Sequence, residues 1–202
     1  MTDTPSLSLH KLPDEVADLV QRLDVHPYLL AHLILVHDAA WRLLEGLSIT
    51  WPSLDIDQDQ ILFGAGIHDI GKVSHPEEMV GPGRRHHKAG EALLKAEGIA
   101  PHKARFARTH GAWENMQDLA MEDLLVALAD TIWAGGRNRV LEDRVTERLA
   151  ATDGRELWRT YMDLDDILME ITNDAELRLV WQTQFAPNRE SLEQGGEPGP
   201  QI

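Results

Sequence analysis

The spacing of apolar residues reads as helical from near the start of the chain to about residue 184, and no alternating strand pattern interrupts it. Pro13 followed by DEVADLVQRL predicts a short first helix, with proline at its first position and acids in its first turn. Pro27 opens YLLAHLILVHDAAWRLLEGL, the most apolar segment, which reads as a central helix packed on most sides and closed near Gly46. Residues 50–55 (TWPSLD) read as a loop. Asp57 or Asp59 then caps DQILFGAGIHDIGK, a helix apolar up to His68 and ending around Gly71.

The Pro/Gly-rich stretch from Val73 to Arg85 predicts a surface connection. Helical spacing returns in HKAGEALLKAEG and again in PHKARFARTHG, which starts at Pro101. Met121–Gly136 reads as another strongly apolar helix, and residues 139–150 and 155–184 as two longer amphipathic ones. The expectation is an all-α bundle of about eight or nine helices forming one domain over residues 1–186. The tail, 187–202, is rich in Pro, Gly and Glu and is expected to be flexible.

Composition narrows what such a bundle can do. The chain has 202 residues, 43% hydrophobic and 26% charged, which suits one globular domain. Its 19 Lys+Arg against 34 Asp+Glu give a formal charge of −15, which argues against extended nucleic acid and anionic membranes as partners. The absence of cysteine excludes disulfides, thiolate metal sites and a thiol nucleophile. Residues 1–12 lack the basic and apolar regions of a signal peptide, and no apolar run approaches the ~20 residues of a membrane span. The expected location is therefore the cytoplasm. Ten histidines in so acidic a chain remain to be explained.

Several of them lie where the helices are most apolar. His37 is in LAHLILVHDAA, His68-Asp69 in GAGIHDIGK, and His86 and His87 open GRRHHKAG. His110 ends RFARTHG, and Asp130 interrupts LLVALADTIW. A carboxylate among such neighbours is costly to bury unless something positive meets it. Imidazole and carboxylate together suit Fe, Mn, Zn or Co. Singly, each has a plainer reading: His37 as a core histidine, Asp130 as a cap or an arginine's partner. His-Asp adjacency also recurs at His37-Asp38. His32, five residues before His37, lies about 140° round the helix at about 100° per residue and should not share its face.

The order His37, His68-Asp69, Asp130 resembles the H…HD…D signature of the HD-domain metal-dependent phosphohydrolase superfamily, over about residues 25–135. GIHDIGK is similar to that family's central motif and ALADTIW to its last-aspartate helix. The resemblance implies an HD-domain helical bundle, divalent-metal binding and hydrolysis of a phosphate ester. Members with two metals carry two more histidines between these motifs, the first as H-x-x-x-G. His86 with Gly90 fits that spacing, His87 is the neighbouring alternative, and His110 supplies the second.

The resemblance therefore implies six ligands (His37, His68, Asp69, His86, His110 and Asp130) around two ions bridged by Asp69. The metals could be Fe, Mn, Co, Zn or Mg. The GYP triplet of the cyclic-dinucleotide branch is absent after His110, where the chain reads GAWENMQ.

Lys72, three residues after Asp69, is the candidate phosphate contact and, with Asp69, the candidate catalytic group. Arg84 and Arg85 are candidate substrate contacts, with Arg105 and Arg108 behind them. His75 could assist from its loop. Trp113 and Trp133 could line a base pocket, although core packing is the plainer expectation. The expected function is hydrolysis of a small, nucleotide-like phosphate ester by metal-activated water. Two alternatives stand beside it: a mononuclear nucleoside 5′-monophosphate phosphatase, and a non-catalytic metal- or ligand-sensing module.

Overall fold

The computed structural model describes residues 7–187 and Pro200. The rest of the expected flexible tail lies outside the described residues. Among those described there is no strand. Ten α-helices follow in order: α1 (Asp14–Arg22), α2 (Pro27–Thr50), α3 (Gln58–Ile67), α4 (Arg85–Ala96), α5 (Pro101–Ala104), α6 (Phe106–Thr109), α7 (Met121–Ile132), α8 (Arg139–Asp153), α9 (Leu157–Thr172) and α10 (Ala175–Thr183). Eight of them have nine or more residues, which matches the all-α bundle expected from the pattern.

α2 is the axis of the molecule. Thirteen of its 24 residues are buried, because α3, α7, α9 and α10 pack around it. His26 caps its N-terminus, its Nδ1 accepting from the Tyr28 amide at 3.1 Å, and Pro27 occupies the first turn. The helix does not stop at Gly46. A Cβ there would lie 2.8 Å from Ile167 Cγ2 of α9, so this glycine seats a neighbouring helix and α2 runs on to Thr50. α3 and α7 are buried along most of their length, as their apolar runs require. Asp57 caps α3 by accepting from the Gln60 amide.

Two expected helices are divided. PHKARFARTHG forms two short turns, α5 and α6, with the Arg105 side chain drawn aside to Asp123 of α7 at 3.0 Å. Residues 155–184 break at Asn173-Asp174 into α9 and α10. Arg178 explains the break. Its buried guanidinium donates to the Ile171 carbonyl at 2.6 Å, satisfying the end of α9 and holding α10 folded back on it. No helix among the described residues is long and apolar enough to cross a membrane.

Candidate metal centre

α3 ends at Ile67, and His68-Asp69 occupy the turn before a short 3-10 segment, Ile70–Val73. The first turn of α4 lies directly on that segment. A Cβ on Gly71 would overlap the His86 carbonyl oxygen, and one on Gly90 would lie 3.0 Å from the Gly71 nitrogen. Only two bare backbones approach this closely, and the approach brings His86 to Asp69. The H-x-x-x-G spacing thus has a steric origin here. α6 ends at His110, α7 carries Asp130, and α2 contributes His32 from the other side.

Asp69, almost fully buried, faces two groups with its two oxygens. Oδ2 lies 3.2 Å from His32 Nε2 and 3.7 Å from His68 Nε2, and also pairs with Lys72. Oδ1 lies 3.0 Å from His86 Nε2 and 3.5 Å from His110 Nε2. Asp130 Oδ1 joins the first group, 3.2 Å from His68 Nε2 and 3.5 Å from His32 Nε2. Among the described residues, three sets of donor atoms are close enough to share an ion: His32, His68 and Asp130; His68, Asp69 and His110; and His86, His87 and His110.

The far sides of the rings are tied down. His68 Nδ1 lies 2.8 Å from the Ala65 carbonyl, His110 Nδ1 3.1 Å from the Phe106 carbonyl, and His86 Nδ1 2.6 Å from Glu78 Oε2. Each acceptor requires an Nδ1–H donor, which leaves Nε2 as the ring atom that faces Asp69 and that ligates once its proton is lost. A ligating histidine has its outward nitrogen oriented in this way. Glu78, which also accepts from the His86 and Arg85 amides, is itself buried.

The electrostatics ask for a cation. Burial would raise the Asp69 carboxyl, but His68, His110, His32 and His86 around it hold it well below the usual range. Asp130 behaves alike: burial opposes ionisation, and His68 and His32 outweigh it. Burial should depress His32, yet Asp130 and Asp69 lift it to about 9. Glu78 would be raised by burial, but its bonds from His86 and Arg85 lower it to about 2. Burial, with His110 and His86 beside it, lowers His87 to about 4.

Of the six expected ligands, the structure brings together His68, Asp69, His86, His110 and Asp130. It does not bring His37 to them; that expectation is corrected. His37 and His32 do face apart, as the helical geometry requires, but His32 is the residue turned towards Asp69. His37 is completely buried beside Trp41, with neither ring nitrogen hydrogen-bonded to a described residue. The sequence did carry a signal against it. Arg42 stands one turn after Asp38 and bonds it at 2.9 Å, so this His-Asp pair has its cation already.

His87 packs its ring edge-on against both His86 and His110 and joins them in the third donor set, while His86 is the one of the pair that reaches Asp69. Glu78 was not singled out, and only its place in the acidic HPEEM loop hinted at it.

Lys72 lines a cavity of about 170 Å³ that opens on the cluster beside His32. Arg84 and Arg85 do not line it. Arg85 is bound by Glu77 and Glu78, and Arg84 is exposed before α4. Arg105 and Arg108 serve Asp123 and Glu91. His75 lies 3.6 Å from Glu77. Trp113 is core, but Trp133 lines the cavity with its ring edge-on to His32.

An all-α bundle with histidines and aspartates from separate helices converging on one buried carboxylate defines a cation-binding class of protein. A family model described as HD domain matches residues 15–135, well over half the chain, and the chain belongs to that family. No curated protein and no solved structure matches it. The family binds divalent metals, and the donor set here fits one: neutral imidazole nitrogens and ionised carboxylates, with no thiolate.

Proposed function

We propose that this chain is a metal-dependent phosphohydrolase that cleaves a small, nucleotide-like phosphate ester in the cytoplasm. His32, His68, Asp130 and Asp69 Oδ2 would hold one divalent ion, and His86, His110 and Asp69 Oδ1 a second. One observation carries the reading: three imidazoles, each anchored through Nδ1, turn Nε2 towards the two oxygens of a single buried carboxylate. Bound divalent cations supply an activated water and positive charge for the phosphoryl oxygens.

The chain's own groups do the rest. Asp69 and the histidines fix the centre, and Glu78 holds the His86 ring. Lys72, in contact with both Asp69 and the cavity, can take a phosphate oxygen. The overall charge of −15 disfavours polyanions, but a small ester answers to the local field instead.

The test is a panel of nucleoside phosphates and simple phosphomonoesters assayed with Mn²⁺, Fe²⁺, Co²⁺ or Mg²⁺. Hydrolysis with at least one metal is expected, and Asp69→Ala should remove it while helix content stays. Undiminished turnover in that variant would sink the assignment. Metal analysis should give about two ions per chain, falling towards one in His110→Ala. A single ion in both proteins would select the mononuclear phosphatase built on His32, His68, Asp69 and Asp130. Failure to hydrolyse any ester with any metal would select the non-catalytic module.

A further inference from the structure

Beyond the metal-ligand cluster, one polar side chain in the wall of the cavity is not committed to a partner within the described fold. Gln182 lies on α10, well past the segment that matches the family model. It is only 6% exposed, its amide makes no hydrogen bond to a described residue, and it lines the same cavity as His32 and Lys72. The enclosed, unpaired side-chain atoms among the described residues belong to His37, Trp51 and Arg178, so the Gln182 amide meets the open space of the cavity and is available to pair with what enters it. Tyr28 and Trp133 supply aromatic walls, and Met79 adds a soft apolar edge.

The position of Gln182 is built, not incidental. Arg178, one helical turn earlier, is fully buried. It donates to the Ile171 carbonyl at 2.6 Å and to the Trp133 carbonyl at 3.4 Å, and its second terminal nitrogen lies 3.6 Å from Asp38 Oδ2. One guanidinium thus fixes the helix that carries Gln182 and the backbone that carries Trp133. Both are set against α2, from which Tyr28 and His32 project.

We propose that Gln182, with Trp133 and Tyr28, forms the pocket for the leaving group of the ester and selects a nucleobase there. The inference rests on the phosphohydrolase reading above and deepens it. A side-chain amide presents a donor and an acceptor side by side, the pattern that pairs with the edge of a heteroaromatic base. Aromatic walls accept the base's flat faces. At about 170 Å³ the cavity falls below the ~300–1,000 Å³ of pockets that enclose a whole ligand, so it takes one ring-sized moiety while the phosphate stays at the centre. A simple aliphatic alcohol would leave the amide unpaired.

The experiment compares the wild type with Gln182→Leu on the ribonucleoside 5′-monophosphates and on glycerol phosphate. The ratio of kcat/KM for the best nucleotide over glycerol phosphate should fall roughly tenfold, chiefly through KM, as loss of one or two hydrogen bonds implies. Gln184→Leu, at the exposed residue two positions on, should leave that ratio in place.

A second measurement does not depend on turnover. Calorimetric titration of the metal-free proteins with the matching phosphate-free nucleoside should show binding weakened by a similar factor in Gln182→Leu. An unchanged ratio, or a nucleoside that binds neither protein, overturns the pocket. If no ester at all is hydrolysed yet the nucleoside binds through Gln182, the phosphohydrolase reading fails and the base pocket stands.

Discussion

The chain contains two His-Asp dipeptides, both buried, one within α2 and one in the turn after α3, and they are put to different uses. At His37-Asp38 the carboxylate is matched by the protein itself. Asp38 accepts from His10 Nδ1 at 2.7 Å, from the His10 amide and from Arg42, and Arg178 approaches it from α10. At His68-Asp69 the carboxylate meets imidazoles and one lysine, and a second carboxylate, Asp130, stands beside it. The first cluster has its permanent cations and needs no ion. The second has two acids whose positive partners are mostly titratable rings, and His32 is driven to about 9 to supply the missing charge. A buried His-Asp pair is left able to take a metal ion when the protein withholds arginine from it.

The widest separation between the two pairs should come from deleting their carboxylates. Asp69→Ala should cut metal-dependent hydrolysis by about 10³-fold or more while the protein stays folded, since the ion-binding groups lose their common acceptor. Asp38→Ala should instead destabilise the fold by about 3–5 kcal/mol, because it strands the buried Arg178 guanidinium. Chemical denaturation and a metal-supplemented assay on both variants would check this. A metal-binding defect in Asp38→Ala larger than its stability defect would break the distinction.

The two histidines of α2 separate on pH. Burial, with Asp38 opposing and His10 assisting, lowers His37 from 6.5 to about 4. Between those values the unfolded chain binds a proton there that the folded chain refuses. Stability is therefore lost as pH falls from 6.5 to 4, by about 3 kcal/mol at about 1.4 kcal/mol per unit. His37→Leu should flatten the stability-versus-pH curve across that window, with the metal count unchanged. His32→Ala should lower the metal count. Identical pH curves for wild type and His37→Leu would show that the ring is not buried neutral.

How much of this was legible follows from the same two regions. The helical pattern, the HD turn and the order of His86, His110 and Asp130 could be read, because apolar periodicity and a fixed motif are local properties. The facing of α2 could not. A helix buried on nearly every side has no polar face to orient it, so beyond the Arg42 partner of Asp38 only the packed neighbours distinguish His32 from His37. The α9–α10 break was hidden for a similar reason. The pattern runs on through Asn173, and only Arg178 capping the Ile171 carbonyl folds it back. Arg85 read as a substrate contact because its partners, Glu77 and Glu78, come together only when the loop folds. What escaped the sequence was in each case a pairing made across a turn or between packed elements, where helical spacing does not reach.

Glu78 offers the finest test of the comparison, because it does for His86 what Arg42 and Arg178 do for Asp38: it completes a buried group from outside the centre. It accepts from His86 Nδ1 at 2.6 Å and from two backbone amides, and so sets both the tautomer and the direction of the ring. Glu78→Gln keeps the size and one acceptor oxygen but removes the charge that strengthens the Nδ1–H bond. Outer partners of this kind are worth about 10–100-fold in metal affinity. Chelator-competition titration should therefore show the second ion weakened by about that factor, with the ion at His32, His68 and Asp130 held as before. Equal weakening of both ions would mean that Glu78 supports the whole turn and not the His86 ring. No weakening would mean that the Nε2 of His86 faces Asp69 without being a ligand, leaving a single-ion centre on the α2 side.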